Sequence, residues 1–197
     1  MEENVIVCGD LQVTKTEFPG LCIVEPKFYG DNRGWFTETY SAQKLAMAGI
    51  HTVFVQDNQS FSAQKGTLRG LHFQTNPKCQ TKLIRCTRGA IVDVVVDLRK
   101  GSPTYLKHYS VELTAENHKQ FYIPKGFAHG FVTLTDDVEV QYKVDEFYSK
   151  ENDRSVRYDD PAFGIDWSSL VENPILSQKD LSAPLYADSD ADFTFEG

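Results

Sequence analysis

Cysteine is scarce. Cys8, Cys22, Cys79 and Cys86 are scattered through 197 residues with no CxxC pair and no zinc-ligand spacing, so neither a disulfide framework nor a structural zinc site is expected. Basic residues are outnumbered as well. Twenty Lys and Arg against 28 Asp and Glu give a formal net charge of −8, which argues against a nucleic-acid-binding face; cations clustered locally could still meet a phosphate. No apolar run approaches the ~18 residues needed to span a bilayer. Met1-Glu2-Glu3 lacks the basic start and apolar stretch of a signal peptide. The expectation is a cytoplasmic protein with reduced thiols and no membrane contact. Internal repeats and low-complexity segments are also missing.

Aromatic residues are plentiful, with 13 Phe and 9 Tyr, and they suit sheets and stacking surfaces. Short apolar runs recur between turn signals: Leu21 to Val24, Phe28 to Gly30, Trp35 to Tyr40 after the Asp31-Asn32-Arg33-Gly34 turn, and Thr52 to Gln56. One helix is expected before the C-terminal region, over Ser41 to Ala48, with Ser41 as N-cap and Gly49 as its terminator. Further strands are expected at Leu68 to Gln74, Lys82 to Cys86, Ile91 to Leu98, Tyr109 to Leu113, Gln120 to Ile123, His129 to Leu134 and Val138 to Tyr142. In Ile91 to Leu98, alternation puts Val92, Val94, Val96 and Leu98 on one face, with Ile91, Asp93, Val95 and Asp97 on the other. Many short strands and few helices mean a sandwich or small barrel, here one domain over 1–197. Beyond Tyr158 the pattern turns irregular, and 186–197 reads as an acidic, loosely held tail.

Leu68-Arg69-Gly70-Leu71-His72-Phe73-Gln74 is the most unusual strand. A guanidinium, an imidazole and an amide within one short strand suit either an edge facing water or a working site, because such groups are costly to bury idle. His72, Lys82, His129 and Tyr142 all sit on expected strands. Each has a plain structural reading: packed histidines, a solvated lysine, a tyrosine with a bonded hydroxyl. A metal site would ask for a close His pair with a carboxylate, but position 74 is Gln and His129 has no second His nearby; no metal is expected. Acid–base chemistry fits better. Histidine titrates near ~6.5 and can act as a base, tyrosine near ~10 as an acid, while a lysine can hold negative charge on oxygen. That trio suits proton abstraction beside a carbonyl.

The Leu68–Gln74 stretch, the run Val92 to Thr104, and Ile123-Pro124-Lys125-Gly126-Phe127-Ala128-His129-Gly130-Phe131 together resemble the dTDP-4-dehydrorhamnose 3,5-epimerase family, in order and spacing, from about Phe18 to about Leu185. The resemblance implies an all-β, cupin-type jelly roll (double-stranded β-helix) with a few short peripheral helices. It also implies a homodimer without metal or organic cofactor, whose substrate is dTDP-4-dehydro-6-deoxy-glucose. By the same resemblance His72 is the general base, Asp180 the carboxylate that orients it, Tyr142 the acid, and Lys82 the cation at the C4 oxygen. Arg69 and His129 line the site, Arg69 at the diphosphate. Arg33, Glu38, Gln56, Asp57 and Asn58 match nucleotide-binding positions, Tyr148 the ring that stacks on thymine, and Lys179 and Asp153 further contacts. Tyr122 and Lys125 stand where relatives often carry Trp and Glu, and Thr81 where Gly is frequent, which bears on specificity more than on activity.

Strict alternation would send Arg69 and His72 to opposite faces. A shared pocket therefore requires a bulge or bend at Gly70. Two rivals stay open at this point: epimerisation at one carbon or of another nucleotide sugar, and a jelly roll that binds a nucleotide sugar without catalysis.

Overall fold

The computed structural model describes residues 4–197. Strands β1 (Val5–Cys8), β2 (Leu11–Lys15), β3 (Cys22–Pro26), β4 (Phe28–Asp31) and β5 (Gly34–Thr37) precede the first helix, α1 (Ala42–Met47). Next come β6 (Gln56–Ser62), β7 (Leu68–Gln74), β8 (Lys82–Arg88), β9 (Ala90–Asp97) and β10 (Arg99–Lys100). They are followed by β11 (His108–Thr114), β12 (Gln120–Ile123), β13 (Phe127–Thr133), β14 (Val138–Val144) and β15 (Asp153–Ser155). The C-terminal region adds only α2 (Gln178–Leu181), β16 (Phe193–Thr194) and single-turn 3-10 segments.

Seven strands form one sheet in the order β1-β2-β3-β12-β8-β14-β6, and five form a second, β11-β9-β13-β7-β15. Chain neighbours such as β7 and β8, or β13 and β14, lie in different sheets, so the chain crosses between them repeatedly. This is a jelly roll. Its interior is sealed by Ile84, Phe121, Val138 and Val140 from the larger sheet against Ile91, Val95, Leu113 and Phe131 from the smaller. Each such side chain contributes roughly 1.5–3 kcal/mol on burial.

The alternation expected for β9 holds: Ile91 and Val95 enter the inter-sheet core, while Val94, Val96 and Leu98 join a second cluster on the outer face. That outer face needs a cover, and Phe163, Trp167 and Phe193 from the C-terminal region supply it.

Three local expectations need correction. Thr52 to Val55 form no strand; pairing begins at Gln56 and runs to Ser62. Val53 there is 75% exposed, whereas the real strand is built from Asp, Asn, Gln and Ser, residues with poor strand preference that an edge position tolerates. The strand expected over Trp35 to Tyr40 stops at Thr37, closing a hairpin with β4 whose turn is fixed by Asp31 Oδ1 accepting the Arg33 N–H at 2.9 Å. The tail is not loose. Phe193 is 5% exposed, β16 pairs in parallel with β10, and the Arg99 guanidinium lies over the rings of both Phe127 and Phe195. Its acidic residues find partners in Arg154 (from Asp190) and Lys100 (from Asp192). Apolar anchors inside an acidic stretch decide the outcome. The helix, by contrast, is capped as expected by Ser41, and Gly49 leaves it at φ +83°.

The irregularity at Gly70 is present. Gly70 has φ +147°, and the β7–β13 register shifts between His129 and Phe131. Two glycines meet there: a Cβ on Gly70 would stand 2.6 Å from Gly130 Cα, and one on Gly130 would stand 2.7 Å from the Arg69 carbonyl oxygen. Gly70→Ala is expected to cost at least ~1–3 kcal/mol, a fall in Tm of about 3–10 °C. Gly30→Ala, whose Cβ would meet nothing closer than 3.6 Å, should change stability by less than ~0.5 kcal/mol. Thermal unfolding of the two variants checks the difference, and equal Tm values would refute it.

Candidate active site

The two sheets part at one end around a cavity of about 800 Å³. Its walls are chemically distinct. The smaller sheet contributes Arg69 and His72 from β7 and His129 from β13, and the bulge at Gly70 is what lets Arg69 and His72 share it. The larger sheet contributes Lys82 from the start of β8, Tyr142 from β14, and Gln56 and Asn58 from β6. The rim is formed by Tyr148, Asp153 and the segment Ile175 to Asp180 around the start of α2.

His72 is half-buried, and its Nε2 lies 2.5 Å from Asp180 Oδ1. Asp180 is 3% exposed. Its Oδ2 accepts the Ser177 hydroxyl at 2.8 Å, and its own N–H donates to Ser177 Oγ, the N-cap of α2. Burial pushes the Asp180 carboxyl up, but the hydrogen bonds from His72 and Ser177 and the nearby Lys179 charge outweigh it and hold the group below its ordinary range. Asp180 is thus an ionised acceptor that fixes the imidazole and leaves Nδ1 as the second ring nitrogen.

Lys82 is half-buried, and among the described residues no salt bridge or hydrogen bond reaches its ammonium. Desolvation drives its pKa down to about 8, against the pull of Asp93 and Asp153. Burial raises the Tyr142 phenol, with the Arg69 charge opposing, so Tyr142 carries its proton at neutral pH. Arg69 itself is anchored to Ser62 Oγ at 3.1 Å and to the Phe61 carbonyl at 3.0 Å. Along the rim Lys179 Nζ pairs with Asp153 at 2.6 Å, and the Tyr148 hydroxyl donates to the same carboxylate at 3.4 Å.

Eleven of the fourteen expected site residues thus meet at one cavity, Gln56, Asn58 and Tyr148 among them, while Arg33, Glu38 and Asp57 lie outside it. Arg33 sits at the β4–β5 turn with its side chain 85% exposed, bonded to Asp31. Glu38 pairs with Lys44 at 2.7 Å. Asp57 falls on the outer face of β6 by alternation and meets Lys143 at 2.8 Å beside a smaller cleft. Sequence reasoning overlooked Gln74, which donates to the Lys78 and Phe147 carbonyls and accepts the Ser149 N–H, bolting down the loop that carries Tyr148. It also overlooked Asp93, which bonds His129 Nε2 at 2.9 Å. The signal for Asp93 was two carboxylates in an apolar strand; the other, Asp97, is structural and accepts from Arg99, Ser102 and Thr104. Among the described residues no three His, Cys, Asp or Glu side chains gather where a metal could bind, and no helix is long and apolar enough to cross a membrane.

The family model described as dTDP-4-dehydrorhamnose 3,5-epimerase matches residues 15–188. The chain belongs to this family. A Shigella flexneri dTDP-4-dehydrorhamnose 3,5-epimerase is 47% identical over 181 residues, covering 91% of this chain and 98% of the relative. The Bacillus anthracis enzyme, solved with TDP and PPi bound, is 51% identical with a TM-score of 0.86, covering 89% of this chain and 99% of the other. A Legionella pneumophila epimerase in complex with dTDP-4-keto-L-rhamnose is 43% identical, TM-score 0.89, covering 95% of this chain and all (100%) of the other. These relatives are isomerases acting on sugar nucleotides.

A desolvated cation without a bonded partner costs stability and is kept for use. Lys82→Met, of similar length, is expected to raise Tm by ~2–4 °C, about 1 kcal/mol, while abolishing activity. A lower Tm in calorimetry would contradict this account of Lys82.

Proposed function

We propose that this chain is a 3,5-epimerase of dTDP-4-dehydro-6-deoxy-glucose in dTDP-L-rhamnose synthesis, working without metal or organic cofactor through an enolate. The observation that carries the reading is the placement of base and acid on facing walls of one cavity: His72 on the smaller sheet, Tyr142 on the larger, Lys82 beside Tyr142. His72 takes the C5 proton and the C–H electron pair moves onto the C4 oxygen, where the Lys82 ammonium holds the negative charge. Tyr142 then returns a proton to C5 from the other side, inverting that carbon. The same base serves C3, where water or a shuttled proton would complete the exchange. The C4 ketone of the substrate makes both C–H bonds acidic, so the electrons never leave the sugar. Each proton transfer by a placed group contributes roughly 10²–10⁴-fold. Arg69 meets the diphosphate, Tyr148 stacks on thymine, and Gln56, Asn58, Asp153 and Lys179 frame the nucleotide.

Proton NMR of the substrate with the protein in D₂O tests this. Deuterium is expected at both C3 and C5, and at neither with His72→Ala. Exchange at one carbon only would make the enzyme a mono-epimerase, and no exchange would leave either a different nucleotide-sugar substrate or a binding module, which binding assays separate.

We further propose a cytoplasmic homodimer in which Arg33, Glu38 and Asp57 serve the partner's nucleotide. Four buried, unpaired cysteines suit a reducing compartment. The β4–β5 hairpin displays Trp35 at 64% and Phe36 at 69% exposure, an aromatic surface that a second copy would cover. If Arg33 acts across the dimer, mixing His72→Ala with Arg33→Ala under subunit exchange creates one intact site in each mixed dimer. At low substrate roughly a quarter of wild-type activity should return. No recovery despite a dimer in sedimentation would place Arg33 outside the partner's site.

A further inference from the structure

His129, which lines the cavity, belongs to a second histidine–carboxylate pair that the mechanism above leaves idle. His129 is 9% exposed and Asp93 fully buried at 0%. Asp93 lies directly across from Phe131 in the β9–β13 register, so His129 is its diagonal neighbour on the inward face, and Oδ2 takes His129 Nε2 at 2.9 Å. Among the described residues, Asp93 Oδ1 is one of two buried side-chain polar atoms without a hydrogen-bond partner; the other, Ser155 Oγ, sits across from His72. A buried carboxylate with an unused oxygen has no stability rationale. Asp93 does not line the cavity, but it lies within electrostatic reach of Lys82, with no salt bridge joining them.

We propose that Asp93 is a positioning residue for the epimerisation: it locks the tautomer and orientation of His129 and supplies the buried counter-charge that keeps Lys82 cationic opposite it. The inference rests on the epimerase reading of the cavity. Alone, Lys82 would be an isolated cation in a desolvated pocket and would shed its proton. Burial raises the Asp93 carboxyl, and the hydrogen bond from His129 and the Lys82 charge pull against it; Asp93 and Lys82 thus favour each other's charged forms, and Lys82 stays free to meet oxygen. A direct salt bridge would occupy the ammonium; an offset counter-charge does not.

The other charged and titratable groups around Lys82 do not substitute for Asp93. His72 faces it from the smaller sheet, Tyr142 flanks it on its own, and Arg69 adds like charge. At the rim Asp153 supports the ammonium, Lys179 opposes it, and those two neutralise each other at 2.6 Å. Asp180 is committed to His72.

The test compares pH profiles of kcat/KM for wild type, Asp93→Asn, Lys82→Arg and the double variant. In wild type, Lys82 loses its charge as pH rises, so activity should fall above about 8. Asp93→Asn retains shape and a hydrogen bond to His129 but removes the charge. That alkaline limb should then move down by about one unit, so that activity falls roughly tenfold well above pH 8 but only about twofold at pH 7. In the Lys82→Arg background the limb is absent, because guanidinium stays charged, and Asp93→Asn should shift nothing. Calorimetric binding of dTDP, which needs the cavity mouth, verifies that each variant is folded. An unmoved limb in Asp93→Asn, with dTDP still bound, overturns the proposal. An inactive wild type overturns the epimerase reading instead.

Discussion

Everything at the catalytic end depends on the contact between Gly70 and Gly130. A Cβ at either position would overlap the other's backbone, at 2.6 Å in one direction and 3.0 Å in the other. Only with both side chains missing can β7 and β13 approach closely enough for the register to slip by a residue there. The slip turns Arg69 to the same cavity as His72, while Leu68, Leu71 and Phe73 stay in the outer core. A regular strand would let only one of the Arg69 guanidinium and the His72 imidazole reach the cavity. Side-chain volume removed from one point has set the direction of two functional groups.

The second constraint is electrical. The cavity gathers cations in an acidic protein, and each is handled differently. Arg69 is anchored through its guanidinium to Ser62 and Phe61, and Lys179 is paired to Asp153. Of these, Lys82 alone has no bonded partner among the described residues, and burial pushes its pKa down to about 8. Guanidinium remains charged wherever it is placed, so Arg can sit at a binding position without a supporting arrangement. An ammonium is more readily neutralised, and its usefulness at a developing oxyanion depends on what surrounds it. Buried carboxylates divide along the same line: Asp97 is satisfied by five donors from Arg99, Ser102 and Thr104, and Asp93, bonded to His129, is left with one oxygen unpartnered among the described residues.

Much of this was legible in the residues, for identifiable reasons. The two faces of Ile91 to Leu98 followed from period-two alternation, and the bend at Gly70 from the need to bring Arg69 and His72 together. The His72–Asp180 pair was invisible to spacing alone, since 108 positions separate its members; only the resemblance to a known family joined them. Strand β6 was misplaced because Gln56 to Ser62 is polar, and an edge strand with one wet face does not advertise itself by hydrophobicity. The tail was misread because net acidity obscured Phe193 and Phe195. Gln74 and Asp93 escaped because what matters about them is the neighbour each one holds, and that appears only after folding.

Inverting a carbon by proton transfer requires a base on one side of the sugar and an acid on the other. A single helix or sheet face presents both groups to the same side. Two sheets facing across a cavity solve this directly, because residues projecting inward from each are opposed by construction. In this chain the proposed base, His72, and its partner Asp180 belong to β7 and α2, and the proposed acid and cation, Tyr142 and Lys82, to β14 and β8. Strands β8 and β14 are hydrogen-bonded neighbours, with Val144 across from Lys82 and Tyr142 two residues further along. Lys82 and Tyr142 are therefore held at a spacing set by the sheet, suited to contacting oxygen and carbon of one small ring. The jelly roll thus does more than bury a core: its crossing connections put His72 and Tyr142, the base and acid proposed above, on separate walls of one cavity.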